Sequence, residues 1–176
     1  MESFNLEILK RDLNLRGYSD AEVKEMLNLQ ILFIPGKLTP SESETPEQKL
    51  TDQLVIVYKE VQKEGFKTQV AVDKNSERVY VEERHAFIDL GTICIGLQSL
   101  GNIADLAQIL DFIITVIQLR FSKNKNDQLM PPVKYKLEIH NGEKSVIMDI
   151  EGQVDQLKKL VPTEKVVKDI ASKILK

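Results

Sequence analysis

The chain has 176 residues, 42% of them hydrophobic, with a net charge of −3 and one cysteine, Cys94. That length fits one domain with its own core, and a lone cysteine excludes an internal disulfide framework. Acidic and basic residues are interleaved throughout and tryptophan is absent, which argues against both a nucleic-acid surface and a base-stacking platform. The opening MESFNLEILKRDLNLRG is charged and periodic, without the apolar run of a secretory signal. A reducing, cytoplasmic setting is therefore expected.

The first predicted helix spans residues 5–15, with Leu6, Ile8, Leu9, Leu13 and Leu15 as apolar positions and Gly17 as its stop. Ser19 and Glu22 have the spacing of a capping box and open a second helix whose inner face is Val23, Met26 and Leu27. The run Ile31–Ile34 follows, closed by Pro35 and Gly36. Residues 1–36 thus read as an N-terminal helical arm. The second helix carries Glu22, Lys24, Glu25 and Asn28 on its outside, which is poor chemistry for reading base edges.

Residues 37–45 begin a stretch, KLTPSESETP, with too little apolar surface to order itself. It reads as a linker ahead of an α+β core domain covering residues 46–176. Thr45 and Pro46 suit the N-cap and first position of a helix that carries Leu50, Leu54, Val57, Tyr58 and Val61 on one stripe and ends at Gly65. TQVAVD (68–73) and RVYVE (78–82), joined by a turn at 74–76, predict a first β-hairpin.

Residues 87–121 form the apolar centre of the chain. Asn102 is the expected N-cap of a helix from Ile103 to Phe121, apolar almost all round and therefore buried on most sides. VKYKLEIH (133–140), Asn141-Gly142 and SVIMDI (145–150) predict a second hairpin. On its first strand Lys134, Lys136, Glu138 and His140 take the polar face, so His140 is expected to be exposed. Two C-terminal helices follow, interrupted at Pro162-Thr163. The expected fold is α+β: two β-hairpins form a small antiparallel sheet packed against the long apolar helix and further helices.

Chemistry is sparse. The two histidines, His85 and His140, and the one cysteine make no metal-ligand spacing. Cys94 lies among Ile93, Ile95 and Leu97, the setting of an inert buried thiol rather than of a nucleophile served by His85. Gly91, Gly96 and Gly101 match no phosphate loop. The polar groups that could gather into an unrecognised site are Glu83, His85, Asp89, Asp105 and Asp111. No enzyme, no metal, no cofactor and no obligatory small molecule is expected. The apolar stretches are too short for a static membrane span, which leaves membrane insertion as an alternative only in a second state.

ADLAQILDFIITVIQLRF, then VKYKLEIHNGEKSVIMDIEG, then QVDQLKKLV give an order of apolar helix, basic loop, hairpin and short helix over about residues 91–161. This order resembles the effector-associated constant components of bacterial conflict systems. The resemblance implies a non-enzymatic subunit accompanying an effector in antiviral defence. A surplus of apolar helix points the same way, toward a protein partner or self-association. The candidate interaction residues are Leu6, Leu9, Val23, Leu27 and Phe33 on the arm and Ile109, Ile113 and Ile117 on the long helix. The arm is expected to dock by its apolar side on its own body or on another subunit, and proteolysis in the linker is expected to leave a stable 46–176 core.

Overall fold

The computed structural model describes residues 2–36, 47–82, 87–121 and 132–174. Its elements, in chain order, are β1 (Glu2–Asn5), α1 (Glu7–Leu15), α2 (Asp20–Leu27), β2 (Ile31–Ile34), β3 (Glu47–Thr51), α3 (Asp52–Lys63), β4 (Thr68–Val70), β5 (Arg78–Glu82), β6 (Ile88–Gly96), α4 (Ile103–Phe121), β7 (Pro132–Asn141), β8 (Lys144–Gln153), α5 (Leu157–Leu160) and α6 (Thr163–Ile174). The protein is α+β, as the residue patterns lead one to expect.

Six strands form the main sheet in the order β1-β8-β7-β6-β2-β4. It is mixed rather than antiparallel, because β6 runs parallel to β7 and β2 parallel to β4. The hairpin β7–β8 forms around Asn141-Gly142, with Gly142 at φ 60°. Only a residue that tolerates the left-handed region can make that turn. The segments predicted as the first hairpin do become strands, but they pair elsewhere: β4 lies beside β2, and β5 beside β3 in a separate two-stranded parallel ribbon. The turn between them instead serves the N-terminal helices. Lys74 N–H bonds to the Arg16 carbonyl, and the Asn75 amide bonds to that of Leu15.

The helix expected to start at Pro46 begins later, at Asp52. Thr51 is its N-cap and accepts from Leu54 N–H, while residues 47–51 are drawn into strand β3 by pairing with β5. Tertiary pairing here overrides the helical stripe. Thr45 and the rest of the expected linker lie outside the described residues.

One face of the sheet carries the larger core. Ile31, Phe33, Ile88, Leu90, Ile93, Ile95, Leu137 and Ile139 pack against α3, α4 and α6. The α4 helix begins as predicted, with the Asn102 side chain accepting from Ala104 and Asp105 N–H. Seven of its apolar residues are buried. Those seven are covered within the chain itself, by the sheet, α3 and α6, while Leu119 on the outer side is 68% exposed.

The second face carries a smaller core, in which Leu6, Leu9, Leu13, Val23, Met26 and Leu27 of the helical pair meet Leu32, Ile34, Ala71 and Cys94. Residues 1–36 are therefore built into the body of the fold. β1 is an edge strand, and β2 is an interior strand held between β6 and β4. Excising them would strip an interior strand, so the expectation of a separable arm and a self-sufficient 46–176 core gives way. The predicted capping box is formed: Ser19 and Glu22 exchange hydrogen bonds.

Arg16 ties this layer together. Its buried guanidinium donates to the carbonyls of Pro35 (2.9 Å) and Ala71 (3.4 Å) and to Asp12 (3.1 Å). Replacing Arg16 with Met keeps the stem but leaves two carbonyls unpaired. A loss of about 2–4 kcal/mol is expected, read as a lower midpoint in urea unfolding. A loss under about 0.5 kcal/mol, the range of an ordinary surface change, would show that the clip is dispensable.

Candidate functional site

The helical pair covers only part of the second sheet face. At the far end of β7 and β8 no described element covers the face, and the side chains there alternate in the register of the hairpin. Lys134 lies opposite Glu151 and Lys136 opposite Asp149, each pair 3.9 Å apart. The four side chains are 46–87% exposed. Such solvated pairs contribute little to stability. Beside them lies a groove of about 690 Å3, also lined by Phe87, Asp89, Thr92 and Pro132.

A β-bulge between Asp89 and Thr92 shapes one wall. Gly91 sits there at φ 63°, and its N–H donates to Asp89 Oδ1 at 2.9 Å. A side chain at Gly91 would run into the Ile34 carbonyl. The Asp89 carbonyl accepts from Thr51 Oγ1 (2.6 Å), the same hydroxyl that caps α3. The bulge thus links the groove wall to both cores.

At the turn end of the same face, polar side chains lie beneath the helices. The sequence pattern places Glu138 and His140 in solvent, yet they are 6% and 2% exposed. The alternation of the strand is obeyed; the helical pair, which period-two reasoning does not see, covers its polar side. Glu138 is hydrogen-bonded to Ser145, and burial pushes its carboxyl up from the ordinary range. Burial holds His140 down at about 4, and its Nδ1 has no hydrogen-bond partner among the described residues. Burial, then the nearby Glu138, pushes the Cys94 thiol well up, so it is not a thiolate nucleophile.

Of the polar residues named for an unrecognised site, the three that are described, Asp89, Asp105 and Asp111, do not converge. Asp105 caps the start of α4 by accepting from Asn102 N–H, and Asp111 accepts from Thr163 Oγ1 at 2.6 Å, joining α4 to α6. Of the described members of this set only Asp89 lines the groove. Glu83 and His85 lie outside the described residues. Among the described residues no group of three or more His, Cys, Asp or Glu could hold a metal ion, and no helix is long and apolar enough to cross a membrane.

The candidate interaction residues are all interior. Leu6, Leu9, Val23, Leu27, Phe33, Ile109, Ile113 and Ile117 are each no more than 6% exposed. Their apolar periodicity marks core, not interface. Leu6, Val23 and Leu27 do floor a second cleft of about 480 Å3, rimmed by Lys10, Asp20, Lys24, Asn28 and Gln98. The charged strip on β7 and β8 was not singled out, because alternation of this kind is also what any half-solvated hairpin shows. Neither protein-family models, nor curated proteins, nor solved structures contain a match to this chain.

Proposed function

We propose that the chain is a non-enzymatic interaction subunit whose partner is a protein engaged at the bare end of β6, β7 and β8. One observation carries this reading: the groove of about 690 Å3 presents two lysines and two carboxylates in the register of the β7–β8 hairpin. Ordered, exposed charges of both signs select a partner by complementarity and steer its approach. The Phe87 ring at the groove edge, 36% exposed, adds an apolar contact of the kind that anchors interfaces. The resemblance of residues 91–161 to effector-associated components supports a place beside an effector in a bacterial defence system. The α4 residues on which a membrane-inserting alternative rests are enclosed by the sheet and its neighbouring helices.

The test pairs the purified protein with the products of genes adjacent to its own, by calorimetry. Lys134→Glu combined with Lys136→Glu is expected to weaken binding about tenfold or more. Lys168→Glu, on α6 and away from the groove, is expected to leave binding unchanged. Equal affinity for the wild-type protein and the double variant would remove the groove from the interface. If none of these products binds and light scattering gives a bare monomer, the interaction reading itself fails.

A further inference from the structure

The helical pair has the construction of a cover. The segment from Leu6 to Gln30 leaves the sheet at β1 and returns to it at β2, so both of its ends are held by strand pairing. Between those anchors it lies over the sheet through apolar contacts and a few polar clips. The clips include Arg16 to Pro35 and Ala71, Lys74 and Asn75 to the Arg16 and Leu15 carbonyls, Glu22 to Lys74, and Asn28 to Gln98 and Ser99. A segment tethered at both ends can lift without any strand leaving the sheet.

Beneath it His140 is enclosed. A methyl group built on Gly96 would stand 3.2 Å from His140 Cε1, 2.9 Å from the Leu29 carbonyl and 3.2 Å from that of Leu27. The imidazole therefore sits under the backbone that joins α2 to β2, and His140 is 2% exposed. The other polar groups of this layer come from each element packed there: Cys94 on β6, Glu138 on β7, Ser145 on β8 and Asp12 on α1. Ser145 bonds to Glu138, and Asp12 to Arg16. Among the described residues nothing accepts from the His140 Nδ1 position. A second proton on the ring would put a charge on a buried side chain whose Nδ1 has no acceptor among the described residues, which disfavours the closed arrangement.

We propose that the α1–α2 pair is an acid-released cover: protonation of His140 frees the Leu6–Gln30 segment from the sheet, while β1 and β2 keep its ends in place. Release bares the apolar faces of α1 and α2 together with Leu32 and Cys94 beneath them. It is independent of whether the groove at the other end of β7 takes a partner.

The direction follows from linkage. His140 binds its proton at about 4 when covered and near 6.5 when free, so between those values only the open form is protonated. Stability of the closed form is complete above the free value and falls as the pH drops below it. Taken alone, His140 raises the open-to-closed ratio about thirtyfold at pH 5 over its value at pH 8. Glu138 acts in the opposite sense. Its buried carboxylate favours opening at neutral pH, and this push fades as acid neutralises it.

Hydrogen exchange of the α1 and α2 amides at pH 7.5 and 5, corrected for intrinsic rates and compared with β7, tests the idea. The wild-type helices are expected to lose protection at pH 5 while β7 keeps it. Glu138→Gln is expected to steepen the loss toward the full thirtyfold, and His140→Phe to abolish it, with His140→Gln as a second non-titrating variant if Phe does not fold. Either non-titrating variant opening as steeply as the wild type would overturn the proposal. So would equal loss of protection in β7, which is global unfolding.

Discussion

Gly91→Ala is expected to destabilise the protein by about 3 kcal/mol or more, one of the largest effects of any single methyl in this chain. Two costs combine. At φ 63° an alanine pays about 1–2 kcal/mol for the left-handed conformation. Its Cβ would also fall 2.3 Å from the Ile34 carbonyl oxygen, a backbone atom that cannot rotate away. The strain lands where β6 meets β2, in the centre of the sheet. Urea unfolding followed by circular dichroism reads the loss directly. A change under 1 kcal/mol would mean that the bulge relaxes and does not hold the groove wall in place. Because the Asp89 carboxylate accepts from the Gly91 amide, the same substitution should also disturb the groove.

Phe33→Ala is expected to cost about 3–5 kcal/mol through the cavity it leaves. Phe33 has no exposed surface, and its ring meets Tyr58 of α3 edge-on at 6.0 Å. The location of that loss distinguishes an interior residue from an interface residue. An interface residue would lower partner affinity and spare the isolated protein. An interior one lowers the unfolding midpoint of the isolated protein, and this second outcome is expected. A stable Phe33→Ala protein would return β2 to the role of a docking strand.

The fold was most legible where local signals act alone. Ser19 with Glu22, Asn102 and Asn141-Gly142 each fix a helix start or a turn through their own hydrogen bonds or backbone freedom, and each does so in the folded chain. Less legible were the strands whose partners are distant. Ile88–Gly96 is apolar on both faces because it lies centrally, with α4 on one side and α2's layer on the other. A continuous apolar run of that kind does not distinguish strand from helix. Thr68–Val70 and Arg78–Glu82 have the composition of a hairpin, but composition does not choose partners, and β2 and β3 claimed them. The exposed strip of Lys134, Lys136, Asp149 and Glu151 follows from the hairpin register. What makes it a site candidate, the end of the helical cover, depends on residues more than a hundred positions earlier in the chain.

The placement of β1 bears on how the chain is born. Glu2 pairs with Ile147 and Asn5 with Lys144, so β1 waits for a partner made some 140 residues later. Interior strand β2 likewise has no β6 to receive it until residue 88 has been made. Until β8 is made the nascent chain therefore carries β1 without its neighbour, and until β6 is made the helical pair lacks part of its floor. Such high contact order slows folding and prolongs the exposure of sticky surface. This fold should depend on a holdase chaperone during translation, and ribosome-stalled chains ending near residue 130 should bind one while released chains that include β7 and β8 do not.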